Sequence, residues 1–304
     1  MSDWRSIDWR AHRRWVSVRG RWANVVELGP PDGAPVVFVH GLGGRWANWL
    51  ENLPACAAAG YRTIAPDLPG FGASELPEQP ISIPAYGRWL EALCDELGVA
   101  GAALVGNSMG GFVAAELAIR APARAERLVL VSAAGITVER RWGDRLLSLA
   151  YREESATTYV AGAAVARAAW LARRPRLRRA AMSFVVAHPQ RLAPDLAYEQ
   201  IRGIGTPGFA VGLEALSTHP IRDRLPEIAC PTLVVWGAGD HIVPVRDADV
   251  FEELIPDARK VVWEDTGHLP MLERPERFNA LLGEFLREGP GEAVDETSSA
   301  AASR

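Results

Sequence analysis

Ser108 stands in the run Gly106-Asn107-Ser108-Met109-Gly110-Gly111. A serine hydroxyl is a poor nucleophile until a neighbouring base takes its proton, and that base needs a carboxylate to orient it. Two later segments carry the missing groups. Gly237-Ala238-Gly239-Asp240-His241 supplies a carboxylate, and Thr266-Gly267-His268-Leu269-Pro270 supplies an imidazole. Together the three side chains have the chemistry of acyl transfer: attack on a carbonyl by Ser108, proton shuttling by His268, orientation by Asp240. A Gly-x-Ser-x-Gly match is weak evidence alone, because 28 of the 304 residues are glycine. Its position decides its meaning.

The elements around these residues read as an α/β pattern. Trp22 to Leu28 alternates like a half-exposed strand, and Val36 to Val39 is a continuous apolar run suited to a strand buried on both faces. Tyr61 to Ala65 predicts a further strand. Ile83 to Leu97 carries Trp89, Leu90, Leu93, Cys94 and Leu97 at helical spacing. Strand Ala102 to Val105, helix Met109 to Arg120 and strand Leu128 to Val131 follow. Thr232 to Trp236 and Lys260 to Trp263 predict late strands, with helices over Asp247 to Leu254 and Pro275 to Arg287. This rhythm predicts a mostly parallel, doubly wound sheet covered on both faces. Ser108 then falls at a strand-to-helix turn, where Gly106 and Gly110 let the backbone close. Asp240 and His268 each follow a strand, so all three lie at one edge of the sheet. Residues 136–213, rich in Ala and Arg, predict a helical cap inserted after the sixth strand, leaving a core of residues 1–135 and 214–288. Residues 289–304 have almost nothing to bury and predict a solvated tail.

Composition excludes other classes. Hydrophobic residues make up 48% and charged residues 23%, enough for a large core. A net charge of −4 leaves no overall basic excess for nucleic acid. No apolar run is long enough to cross a bilayer, and residues 1–15 have no apolar stretch of a secretory signal, so a cytoplasmic protein without membrane insertion is expected. Cys56, Cys94 and Cys230 are widely spaced and odd in number, which fits neither a disulfide framework nor a zinc site. Neither a dinucleotide fingerprint nor a phosphate loop is present, so no cofactor and no metal are expected.

The sequence resembles the α/β-hydrolase fold family. Besides the serine turn it carries His40-Gly41-Leu42-Gly43-Gly44, then Asp67-Leu68-Pro69-Gly70-Phe71-Gly72-Ala73-Ser74. Gly267-His268 is followed by Glu273, Pro275 and Phe278. The resemblance covers residues 15–135 and 213–287. It implies a Ser108–His268–Asp240 triad, with the backbone N–H groups of Leu42 and Met109 as the oxyanion hole. It also implies that His40 buttresses the oxyanion loop, and that Asp67, Gly70, Gly72 and Ser74 are loop architecture. Trp46, Trp49, Leu269 and Met271 are candidates to contact substrate.

A serine at this turn separates the chain from family members that resemble it but use aspartate there. The leading expectation is hydrolysis of a small or medium-chain carboxylic ester. The alternative is carbon–carbon bond hydrolysis of ring-cleavage dienoates, since Gly-Asn-Ser-Met-Gly-Gly is similar to the elbow of those enzymes; Arg141, Arg145 or Arg202 would then supply a cation. A ligand receptor on the same fold is the non-enzyme reading. The oxyanion loop and Leu269-Pro270-Met271 depart from the dienoate hydrolases toward a more apolar site. His241 is expected to face solvent, His12, His188 and His219 show no partner in the sequence, and the arginines from Arg167 to Arg179 read as a solvated helix face.

Overall fold

The computed structural model describes residues 3–137, 167–202 and 206–288; the expected tail, Arg141 and Arg145 lie outside them. Eight strands form one sheet: β1 (Arg13–Val18), β2 (Arg21–Leu28), β3 (Pro35–Val39), β4 (Arg62–Pro66), β5 (Ala102–Asn107), β6 (Ala125–Val131), β7 (Thr232–Gly237) and β8 (Ala258–Trp263). Their order is β1-β2-β4-β3-β5-β6-β7-β8. β2 pairs antiparallel with both β1 and β4, and all other pairs are parallel.

Side-chain alternation explains the layers. In β3, Val37 and Val39 enter one apolar cluster while Val36 and Phe38 enter the other. β6 divides Leu128 and Leu130 from Val129 and Val131, and β7 divides Val234 and Trp236 from Leu233 and Val235, in the same way. One face is covered by α2 (Ile83–Glu96), α3 (Met109–Arg120) and, later in the chain, a helix over Arg246–Leu254. α2 starts where the Ser82 hydroxyl accepts the Ala85 N–H at 3.3 Å, an N-cap that satisfies one free helix donor. The other face is covered by α1 (Leu53–Ala58) and the last helix, Pro275–Arg287, through Leu53, Phe278, Leu282 and Phe285.

Between β6 and β7 lies a helical insert whose described helices are α4 (Ala168–Ala172), α5 (Pro175–Met182), α6 (Pro194–Arg202) and α7 (Phe209–Leu216). Ala168, Ala172, Met182, Val186, Leu196 and Ile201 join the second apolar cluster. The chain leaves for the insert at Thr137, whose N–H and hydroxyl bond the buried Asp247 carboxylate at 2.9 and 2.5 Å. On its return, His219 and Arg224 both bond the Glu116 carboxylate in α3, at 3.0 and 2.8 Å. After β7 come α8 (Arg246–Leu254), α9 (Pro270–Glu273) and α10 (Pro275–Arg287). The carboxyl ends of β3, β5, β7 and β8 open into the loops that carry His40, Ser108, Asp240 and His268.

Candidate active site

β5 delivers the chain to Ser108 and α3 takes it away within one residue. Ser108 has φ 54° and ψ −120°, a backbone state that costs a side chain about 1–3 kcal/mol. Packing holds it there: its N–H donates to Val131 O at 3.0 Å, and its carbonyl accepts from Phe112 and Ala134 at 3.2 and 3.1 Å. The glycines are steric requirements. A Cβ at Gly106 would lie 2.4 Å from Gly110 O, and one at Gly110 would lie 2.1 Å from Val39 O. Ser108 is the residue before α3, so the N–H of Met109 is among the helix's unsatisfied donors.

Asp240 and His268 meet although 28 residues separate them. The His268 Nδ1 lies 2.8 Å from Asp240 Oδ2, both side chains are nearly fully enclosed, and Asp240 Oδ1 accepts the N–H groups of Ile242 and Val243 at 2.8 and 3.0 Å. With that arrangement the carboxylate holds an N–H on Nδ1 and leaves Nε2 as the basic lone pair. The two loops are also tied through backbone: Gly239 N–H donates to Thr266 O at 2.9 Å, and Ala238 N–H to Trp263 O at 2.9 Å. Asn107, the residue before the serine, spans the gap by donating its amide to Val131 O at 3.0 Å and His268 O at 3.3 Å.

The loop after β3 lies directly against the serine, since a Cβ on Gly41 would come 3.1 Å from Ser108 Cβ. His40 anchors that loop. Its Nε2 accepts the Leu68 N–H at 2.9 Å and its Nδ1 sits 2.8 Å from Gly41 O, which requires the neutral ring with its proton on Nδ1. Burial pushes its pKa below the ordinary histidine value. Asp67 holds the same loop from the next strand, accepting from Trp46 N–H at 2.7 Å, Asn24 Nδ2 at 2.8 Å and Ala73 N–H at 2.9 Å. The insert reaches this place through α7: a Cβ on Gly212 would be 2.9 Å from Leu42 Cδ1 and 3.6 Å from Met109 Sδ.

Residues 34–275 match the family model described as alpha/beta hydrolase fold. The chain belongs to the α/β-hydrolase fold family. Among its relatives, a 2-hydroxy-6-oxo-6-phenylhexa-2,4-dienoate hydrolase from Comamonas testosteroni is 31% identical over 84% of this chain and 89% of its own. A dihydrolipoyllysine-residue acetyltransferase component of an acetoin cleaving system from Pseudomonas putida is 33% identical over 90% of this chain and 69% of its own. A solved thermophilic esterase from Thermogutta terrifontis superposes with a TM-score of 0.73 at 26% identity, covering 90% of this chain and 98% of that one. The protein is a hydrolase of this fold, with both ester and carbon–carbon bond hydrolases among its relatives.

Within this α/β hydrolase, the other candidate residues take the following places. Trp49 is fully enclosed between Phe38 and Phe278, with ring centroids 5.2 and 6.4 Å away, and Met271 is buried in the same cluster. Trp49 lies on the 3-10 turn Trp46–Trp49 and Met271 in α9. Trp46 packs on Trp9 at 5.1 Å. Leu269 directly follows His268. Arg202 is engaged by Glu199 at 3.6 Å. His188 and His219 do have partners, Asp265 and Glu116. His241 is exposed and stacks on Phe184 at 6.4 Å. Cys56, Cys94 and Cys230 are free and buried, and burial pushes their thiols to about 12, 11 and 11, so they are inert as nucleophiles.

Sequence reasoning missed the part played by Glu273. Its largely buried carboxylate accepts the N–H groups on both sides of His268, from Gly267 at 2.9 Å and Leu269 at 3.3 Å, and also Ala187 N–H of the insert at 2.8 Å. His268 N–H itself donates to Val185 O of the insert at 2.8 Å. Gly267 must be glycine for this contact, since a Cβ there would lie 2.8 Å from Ala187 N. The signal in the sequence was the acidic residue five positions after the histidine.

Proposed function

We propose that this α/β hydrolase cleaves a small or medium-chain carboxylic ester through an acyl-enzyme on Ser108. The observation that carries the reading is the enclosed His268–Asp240 pair, 2.8 Å apart, at the same sheet edge as the strained Ser108. His268 Nε2 takes the hydroxyl proton as Ser108 Oγ attacks the ester carbonyl. The oxygen of the tetrahedral intermediate is held by the N–H groups of Leu42 and Met109; one such donor is worth about 10²–10³ in rate. Collapse expels the alcohol, protonated by His268. Water, deprotonated by the same ring, then releases the acid and free Ser108. Asp240 keeps the ring in the tautomer that can accept. The insert acts as a cap, with α7 over Leu42 and Met109; Trp46 and Leu269 flank the acyl group.

Carbon–carbon hydrolysis of a dienoate is a second reading, favoured by the 31% identity to the phenylhexadienoate hydrolase. Against it, Arg202 is paired with Glu199 and the loop after His268 is apolar. Hydrolysis of p-nitrophenyl esters from acetate to decanoate, by wild type and Ser108→Ala, tests the proposal. Serine-dependent turnover is expected. No turnover by wild type on any ester sinks the ester reading and makes ring-cleavage dienoates the next substrates; failure on both favours a receptor.

A further inference from the structure

From Arg167 to Pro194 the sequence holds seven arginines and no aspartate or glutamate, in a chain of net charge −4. Two of the seven have internal duties. Arg178 is buried and donates to the carbonyls of Ala172, Pro189 and Gln190 at 2.7 to 2.9 Å, and Arg191 pairs with Asp265 at 3.1 Å. The other five, Arg167, Arg173, Arg174, Arg176 and Arg179, are exposed and form no ion pair with a described residue. Elsewhere the protein pairs such groups routinely, as in Arg14–Glu27, Arg62–Glu27, Arg120–Glu91 and Arg224–Glu116. Like charges gathered without counter-ions among the described residues repel one another.

Large apolar side chains are exposed in the same stretch of chain. Trp170 is 48% exposed, with the Arg174 guanidinium 4.3 Å from its ring centre, and Phe184 is 59% exposed. Exposed aromatics interleaved with cations match the boundary of a bilayer, where rings enter the headgroup layer and guanidinium groups meet lipid phosphates. Phe184 also stacks on His241, the neighbour of Asp240, so one end of the surface adjoins the loop that carries a proposed catalytic side chain.

We propose that the α4–α5 face of the insert docks peripherally on an anionic lipid bilayer. A lipid surface is favoured over nucleic acid because, among the described residues, these five unpaired arginines are gathered in the short segment 167–179 of a net-acidic chain rather than spread as a stripe. Docking by this face brings the edge of the site toward the membrane, which suits a hydrolase whose substrates carry acyl or other apolar groups. The surface stands on charge and exposure and holds whether the substrate is an ester or a dienoate.

Co-sedimentation of the full chain with phosphatidylcholine vesicles and with mixed phosphatidylcholine–phosphatidylglycerol vesicles tests it. Binding is expected to the anionic vesicles only, weakening as salt rises from about 0.05 to about 0.5 M. Each arginine near an anionic surface raises affinity roughly fivefold. Replacing Arg173, Arg174, Arg176 and Arg179 by Gln together is therefore expected to weaken binding by roughly a hundredfold or more. Trp170→Ala should weaken it while leaving the salt dependence in place. The two arginine pairs changed separately cover the case in which the fourfold variant fails to fold, and unchanged thermal melting certifies the rest. Wild type that ignores anionic vesicles at low salt overturns the proposal. So does a folded arginine variant that binds as tightly as wild type, or tighter binding to a duplex DNA fragment than to the vesicles.

Discussion

At the scale of single residues, two histidines of the proposed site are held in opposite ways. His268 has a carboxylate at Nδ1. His40 has a carbonyl at Nδ1 and an N–H at Nε2, so its ring has no free lone pair to offer as a base. Asp240→Asn should lower kcat by about 10⁴, since the amide offers His268 the wrong tautomer partner; steady-state kinetics on the preferred substrate would show it. Asp265 is poorly placed to substitute, because its carboxylate is taken by His188, Arg191 and Arg274. His40 makes a pH prediction. Its folded pKa lies below the ordinary value, so the unfolded chain binds the proton first. The stability it contributes is complete above about pH 6.5 and declines as pH falls toward the lower folded value. His40→Gln should therefore flatten that part of the melting-temperature profile, and a variant with the wild-type slope would contradict it.

At the scale of elements, the His268 loop is held by the insert as well as by the core. Its three successive N–H groups, at residues 267, 268 and 269, all bond to Glu273 or to Val185. Only an ionised carboxylate accepts three N–H groups without presenting a donor of its own to them, yet burial raises the Glu273 pKa. Glu273→Gln keeps an acceptor for one side of the clamp and turns an amide donor toward the other. We expect kcat to fall by about 10–10²-fold, the scale of a slightly misplaced base, with a much smaller change in KM. The acid limb of kcat should also lose the component from Glu273 protonation. A matched rise in KM, or a pH profile superposable on wild type, would leave Glu273 a packing residue only.

At the scale of the whole molecule, polar latches fasten the insert around its rim. Arg45 of the loop after β3 pairs with Glu199 of α6, and Asp265 gathers His188 and Arg191 from the insert with Arg274 from the core. The hydrogen bond from His188 and then those of the two arginines draw the Asp265 carboxyl down to about 2. Because its folded pKa is depressed, its stabilising part is present above the ordinary value of 3.8 and is lost as pH falls toward about 2. Asp265 is half exposed, so salt should screen the effect. Thermal melting of Asp265→Asn should differ from wild type at neutral pH and low salt, and the gap should narrow below the ordinary value of 3.8 and close only as pH falls toward about 2. An equal gap at all pH values would mean that the loop, not the charge, was disturbed.

The parallel core and the serine turn were legible in the sequence because they rest on local signals: unbroken apolar strands, strand–turn–helix order, and glycines two residues either side of Ser108. Short, weakly patterned elements were not. β1 exposes Arg13, Arg14 and Trp15, and α1 is a single short helix of mostly small residues; neither carries a periodicity strong enough to read. By itself the sequence determined which strand ends bear Ser108, Asp240 and His268. That the carboxylate meets the imidazole, that Trp49 turns into the core, and that Glu273 joins the His268 loop to the insert were decided only by tertiary structure. Such contacts join residues far apart in the chain, and their geometry is set by how whole elements pack rather than by any local preference.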